Sequence, residues 1–324
     1  MNIFINCLAI LILFGLLGLT AEFAVRNIKC LGVIQRLKMF AVGILVGIIT
    51  SFPELFIGLN AMFNNVSTIS VGNLLGGIPV LFGLVLGVGI ILNKKIATDG
   101  KEKSILPEVV VIFSPILLGI NGRYGMWEGL ILVGLYLGTI YYIIQGNLKR
   151  ASKLTAKQET QQTISTIKSL SRAVIGIVFV VIISHLILKL TMNLLNHFKI
   201  SHLLLGAVIF SIGTNLPELT ITIVSWYKKM PDLSLSNLIG SALTNVLLLG
   251  VFALIQPIEF ATDFSFIVLG VFIAIMLILL LVFYRSKDKM ETREGLVLLG
   301  VYILFLIVNF MIIRAQALAD FVGF

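Results

Sequence analysis

Apolar residues run along this chain in long blocks broken by short polar stretches. An apolar run of about 18 residues or more is long enough to cross a bilayer as a helix. Ten blocks are read, at residues 3–24, 39–63, 67–93, 105–120, 125–145, 173–196, 202–226, 233–255, 264–284 and 295–317, the fourth being short. The fold this predicts is an all-α membrane protein of ten transmembrane helices. The first block is too long for the core of a signal peptide and has no cleavage-like site, so it reads as a retained span. No soluble domain fits between the blocks.

Composition agrees with the pattern. Of 324 residues, 58% are hydrophobic and 12% charged. A soluble domain of this size cannot hide so much apolar surface and keep a wetted shell. The net charge of +9 would ordinarily raise the question of nucleic acid. Its distribution answers it. With the N-terminus outside, the inner loops are 25–38, 94–104, 146–172, 227–232 and 285–294, and they hold 20 of the 24 Lys and Arg. Such asymmetry orients a membrane protein with its basic loops in the cytoplasm. The reading is a multi-pass protein of the cell membrane, both termini outside, with the lipid bilayer as partner and no nucleic acid. Cys7 and Cys30 fall toward opposite faces of the first block, so they are not expected to pair, and nothing resembles a zinc or thiol-redox motif.

The most polar stretch, 146–172, reads as a cytoplasmic linker. It divides the chain into a first five-span unit, 1–145, and a second, 173–324. The units share motifs. Residues 50–55 read TSFPEL and 214–219 read TNLPEL, while 73–76 read NLLG and 237–240 read NLIG. One shift of 164 superposes Thr50 on Thr214, Pro53 on Pro217, Glu54 on Glu218, Asn73 on Asn237 and Gly76 on Gly240. A single offset across two separated motifs points to an internal repeat. Because five is odd, the repeats face opposite ways across the membrane. Inverted-topology repeats are typical of transporters, whose site lies near the midplane where the repeats meet.

The chemistry gathers there. Glu54 and Glu218 each lie inside an apolar block, where an ionisable group costs about 2.5–3.5 kcal/mol on insertion scales. Each follows a proline. Pro53 has no N–H and crowds the carbonyl of Ile49, and Pro217 does the same at Gly213, so each helix should kink and free backbone oxygens. Thr50, Ser51 and Thr214 add hydroxyls and Asn215 an amide oxygen. These are hard oxygen ligands suited to calcium or sodium. In the following span of the second unit, Ser241 and Asn245 are one helical turn apart and can face one point. Pro79 and the glycines of GNLLGGIP, residues 72–79, are expected to break the third span near its middle. A buried Glu could instead be a structural ion-pair partner, but repetition in matching context favours a shared site. Asn73 and Asn237 are assigned to helix breaks and interhelical bonds. His185 and Lys189 read as a snorkelling pair, and Glu128 and Asp263 as interfacial.

The segments GIITSFPEL with GNLLGG, and SIGTNLPEL with SNLIGSALTN, resemble the two alpha repeats of the calcium/cation antiporter superfamily, best known for the sodium/calcium exchangers. The resemblance implies that Glu54 and Glu218 bind transported calcium and sodium, with oxygens from Thr50, Ser51, Thr214 and Asn215, and that Ser241 and Asn245 line the second-repeat side. It implies no cofactor and no enzymatic reaction. It also implies that the first and sixth spans, 3–24 and 173–196, move together in alternating access. The first repeat departs from the pattern. Gly77 stands where the family has serine, Leu81 where it has a polar residue, and Ile49 where it usually has glycine. In the second, Asn215 replaces a serine, Ser236 a glycine, and Asn245 sits where an acid often occurs. Two other functions stay open at this point. One is an antiporter of the same fold coupled to protons or another cation, since carboxylates can carry either. The other is a membrane sensor or partner-binding relative that has lost transport.

Overall fold

The computed structural model describes residues 3–34, 47–48, 50–97, 102–151, 171–172, 174–176, 178–180, 182–183, 185–187, 189–191, 202–227, 231–285 and 289–322. Residues 152–170, most of the expected linker, and residues 35–46, the start of the second block, lie outside them. Helices dominate: α1 (Ile3–Ile34), α2 (Phe52–Phe63), α3 (Thr68–Pro79), α4 (Leu86–Asn93), α5 (Glu102–Leu118) and α6 (Met126–Ala151). The helix Val174–Thr191, α7, follows. The rest are α8 (His202–Leu205), α9 (Ser211–Thr214), α10 (Leu216–Tyr227), α11 (Pro231–Ile255), α12 (Phe264–Arg285) and α13 (Thr292–Val322). Among the described residues, seven continuous helical stretches are long and apolar enough to span a bilayer, and shorter apolar helices occur at Ile5–Thr20, Phe52–Phe63 and Ile105–Leu118. The chain is a multi-pass membrane protein.

The buried centre is made by Thr68–Asn93 and Leu235–Ile255. Their small residues explain how they get there. A Cβ on Gly72 would stand 2.1 Å from the Leu203 carbonyl oxygen, and one on Gly206 would stand 2.3 Å from that of Ile69. The backbones of α3 and of the segment 202–210 therefore touch, as small residues allow in membranes. Gly47 lies the same way on α11, its missing Cβ 2.6 Å from the Ser241 nitrogen. Each Pro–Glu helix thus packs on the small-residue helix of the other half of the chain.

Two expectations need correction. Pro79 does not break the third span. The helix continues through a π-helical stretch, Val80–Val85, into α4. A π turn absorbs the donor that proline lacks, and tight packing on neighbouring helices keeps the path helical. The all-α expectation also omits four short strands among the described residues. β1 (Lys95–Ala97) pairs antiparallel with β4 (Lys289–Glu291), and β2 (Arg123–Tyr124) with β3 (Ile258–Glu259). The pairs are anchored by buried Ile96 opposite Met290 and buried Tyr124 opposite Ile258. Since α12 runs from β3 to β4, the two pairs lie at opposite ends of the bundle. Loops 94–104 and 285–294 accordingly share one face, the grouping that their basic residues predict.

Candidate functional site

The kinks occur where the prolines place them. Ser51, with φ −80° and ψ 7°, leaves helical geometry just before α2, whose first turn holds Pro53 and Glu54. Asn215, with φ −87° and ψ 10°, does the same between α9 and α10, ahead of Pro217 and Glu218. The chain is bent at these points rather than unwound. The Ser51 N–H still donates to the Gly47 carbonyl at 3.1 Å, and the Asn215 N–H to that of Ser211 at 3.3 Å.

The bends bring the carboxylates together. Glu54 is 1% exposed and Glu218 wholly buried, and they are close enough to act on one another electrostatically. The threonines cross between halves. The Thr214 hydroxyl is within reach of Glu54, and the Thr50 hydroxyl is within reach of Glu218. Thr214 Oγ1 also donates to Asn73 Oδ1 at 3.1 Å, a bond between halves that agrees with the role assigned to Asn73. Ser241 Oγ donates to Glu218 Oε1 at 3.1 Å and lies 3.1 Å from Thr50 Oγ1. Ser51 is buried but turns back, donating to the Gly47 carbonyl oxygen at 2.9 Å.

The two asparagines are oriented by their amide nitrogens. Asn215 Nδ2 donates to the Ser211 carbonyl oxygen at 2.8 Å, and Asn245 Nδ2 to that of Leu74 at 3.1 Å. Among the described residues their Oδ1 atoms remain buried without a partner, and so do Glu54 Oε2 and Glu218 Oε2. Four buried oxygens without donors are costly unless a cation or a proton meets them. A structural ion pair does not supply it, because no Lys, Arg or His is buried among the described residues. Nor do the described residues hold a cluster of three His, Cys, Asp or Glu of the kind that traps a metal permanently. Two carboxylates among neutral oxygens are a donor set of the kind that suits a hard cation.

All eight residues named from sequence are thus buried along the kinks and the facing α11. Some features escaped that reading. Gly77 faces both asparagines. A Cβ there would stand 2.8 Å from Asn245 Nδ2 and 3.3 Å from Asn215 Nδ2, so their amides occupy space that a serine would claim. Asn237 was reserved for interhelical bonding, yet both its side-chain polar atoms are buried without a partner. Glu108 on α5 is a further buried carboxylate, 3% exposed, with Oε2 unpartnered. It follows Pro107, as Glu54 follows Pro53 and Glu218 follows Pro217. The Pro–Glu pair was the signal that could have found it. The His185 ring reaches Asn60 Oδ1 at 3.3 Å, an interhelical contact beyond simple snorkelling.

Comparison with known proteins agrees with this geometry. The family model described as sodium/calcium exchanger protein matches residues 5–145 and 168–311. Sodium/calcium exchanger MaX1 of Methanosarcina acetivorans is 38% identical over 109 residues, 33% of this chain and 31% of that protein. Inner membrane protein YrbG of Escherichia coli is 25% identical over 276 residues, 81% and 83% of the two chains. Among solved structures, the sodium-calcium exchanger NCX_Mj soaked with sodium and strontium superposes with a TM-score of 0.69 at 22% identity, covering 94% of this chain and 98% of that one. The family match makes this a membrane cation antiporter, which makes and breaks no covalent bond and is not an enzyme. The chain belongs to the sodium/calcium exchanger protein family.

Proposed function

We infer that this protein exchanges calcium for sodium across the cell membrane by alternating access. Glu54 and Glu218 are the shared acidic ligands. Thr50, Ser51, Thr214, Asn215, Ser241 and Asn245 supply hydroxyl, amide or backbone oxygens. The observation that carries this reading is two buried carboxylates, each with an oxygen that lacks a partner, and no buried basic residue, all among the described residues. Two ionised carboxylates are matched by one calcium or by two sodium ions, so either cargo can discharge the other at the same place.

The framework proposed for this exchange is ten spans in two inverted five-span repeats, 1–145 and 173–324, joined by the cytoplasmic linker 146–172, with both termini outside. The shift of 164 between motifs, the two segments matched by the family model and the reciprocal packing of each Pro–Glu helix on the other half support it. Cysteines placed at Ser152 and Gly323, in a background lacking Cys7 and Cys30, test the orientation with an impermeant thiol reagent on intact cells. Labelling at 323 and not at 152 is expected, and the reverse overturns it.

The function itself is tested by flux. Purified protein in sealed vesicles should take up calcium against an outward sodium gradient. A potassium or proton gradient of the same size should not drive it. Uptake driven only by protons would replace sodium as the coupling ion and keep the fold. Absence of uptake under every gradient would overturn the antiport reading.

A further inference from the structure

Beside the kink of the second half lies a cavity of about 720 Å³ between α1 and the segment 205–216. Its size is that of sites for small organic molecules. The lining is almost wholly aliphatic and aromatic. Apolar cavities of this kind exclude water. Its mouth belongs to the hydrocarbon-facing surface of the bundle, since two lining residues, Leu11 and Ile209, are 68% and 41% exposed on membrane-spanning helices. Its floor is Gly213 and Leu216, which flank Thr214 and Asn215 of the ion site. Gly213 is held under the Phe14 ring so closely that a Cβ would meet it at 1.9 Å.

Besides the Cys7 thiol on α1, one hydroxyl enters the lining from a different helix. Thr191, at the end of α7, contributes to the wall, is 2% exposed, and its hydroxyl has no partner among the described residues. A buried hydroxyl inside the bilayer calls for an acceptor. Hydrocarbon alone offers none, whereas the ester carbonyl at the head of a phospholipid chain does. We propose that this cavity binds one acyl chain of a membrane phospholipid, its ester carbonyl accepting from Thr191 and its methylenes packed against Phe14 and the Gly213–Leu216 floor. The chain then forms part of the packing between α1 and the bend that carries Thr214 and Asn215.

Gly15 offers a clean way to fill the space. It lines the cavity, and a Cβ placed on it would meet nothing within 4 Å. Gly300, on α13, is equally unhindered and serves as the control. Delipidated full-length protein is titrated with palmitoyl-oleoyl phosphatidylglycerol and lipid adducts are counted by native mass spectrometry. Wild type and Gly300→Phe should show one saturable first adduct. Gly15→Phe should lose it. Thr191→Val, which keeps the shape and removes the donor, should weaken it about fivefold, the scale of one hydrogen bond. Should Gly15→Phe fail to fold by thermal melting, Gly15→Leu decides in its place. Palmitate added in place of the phospholipid should bind more weakly, and equal binding would reassign the site to free fatty acid and overturn the phospholipid assignment. A first adduct that survives filling of Gly15 in a folded protein, or a wild type with no saturable adduct, overturns the site. None of these outcomes depends on cation flux, so they stand apart from the antiport reading.

Discussion

The two halves of the proposed ion site are built alike and furnished differently. In the second half, α11 carries Ser241, bonded to Glu218, and Asn245, whose amide oxygen is buried without a partner among the described residues. In the first half, the shift of 164 puts Gly77 and Leu81 in the same places, and neither has a side-chain oxygen. The gap at Gly77 is not left open, because the amides of Asn245 and Asn215 lean into it. Leu81 is fully buried in the apolar core. The cradle is therefore lopsided, with two symmetric carboxylates and neutral donors drawn mainly from one half. Removing a donor from one repeat is tolerable where the other repeat grows into the space.

The sharpest way to break the comparison is at its symmetric element. Glu54→Gln and Glu218→Gln should each lower sodium-driven calcium flux about a hundredfold, since losing one of two buried charges leaves the cation uncompensated. Both variants should still insert, because neutral Gln is easier to place in the membrane than ionised Glu. Near-normal flux in either would remove that residue from the site. The next effect is on the richer half. Asn245→Leu makes it copy Leu81, and should weaken the half-saturating calcium concentration about tenfold, the scale of one hydrogen-bonding ligand to a charge. Unchanged calcium dependence would show that the Asn245 oxygen does not face the ion.

The poorer half gives a subtler test. Two carboxylates balance one calcium or two sodium ions, and a third sodium would need oxygens that Gly77 and Leu81 lack. Exchange should then be nearly electroneutral, and an imposed membrane potential should hardly move the end point of calcium flux in vesicles. Gly77→Ser together with Leu81→Asn should add voltage dependence, provided Asn245 gives way to the new side chain. A voltage-driven end point matching three sodium ions in the unaltered protein would count against the lopsided cradle. The smallest effect is expected away from both halves. Glu128 Oε2 accepts from the Gly125 N–H at 2.9 Å and caps the start of α6. Glu128→Gln should change flux by less than about twofold while lowering stability by about 0.5–1 kcal/mol in thermal unfolding.

The sequence carried the site further than it carried the frame. A Pro–Glu pair in an apolar block announces both a bend and a charge, and it does so twice at one spacing, so Glu54, Glu218 and the oxygens around them could be named before any coordinates. What could not be read was compensation across helices. Nothing in the linear chain says that Asn215 and Asn245 converge on Gly77, because the three meet only after α3, the α9–α10 bend and α11 pack. The strands were hidden for another reason. Pairings of two or three residues between distant loops leave no period-2 pattern to detect. Pro79 misled because proline's local cost was weighed without the packing that lets a π turn absorb it.

Those small strands also set the order in which the protein can be made. Lys95 finds its partner only at Glu291, and Arg123 finds its own at Glu259. During synthesis the pairing at one end of the bundle must wait until residue 259 has emerged, and the pairing at the other end until residue 291. The first half thus leaves the ribosome with both of its loop strands unpaired, whatever its helices have done in the membrane. Late, non-local closures of this kind slow assembly and keep strand edges available to wrong partners. At both ends of the bundle the loops of the first half close only on those of the second. The first is held unfinished until the second arrives.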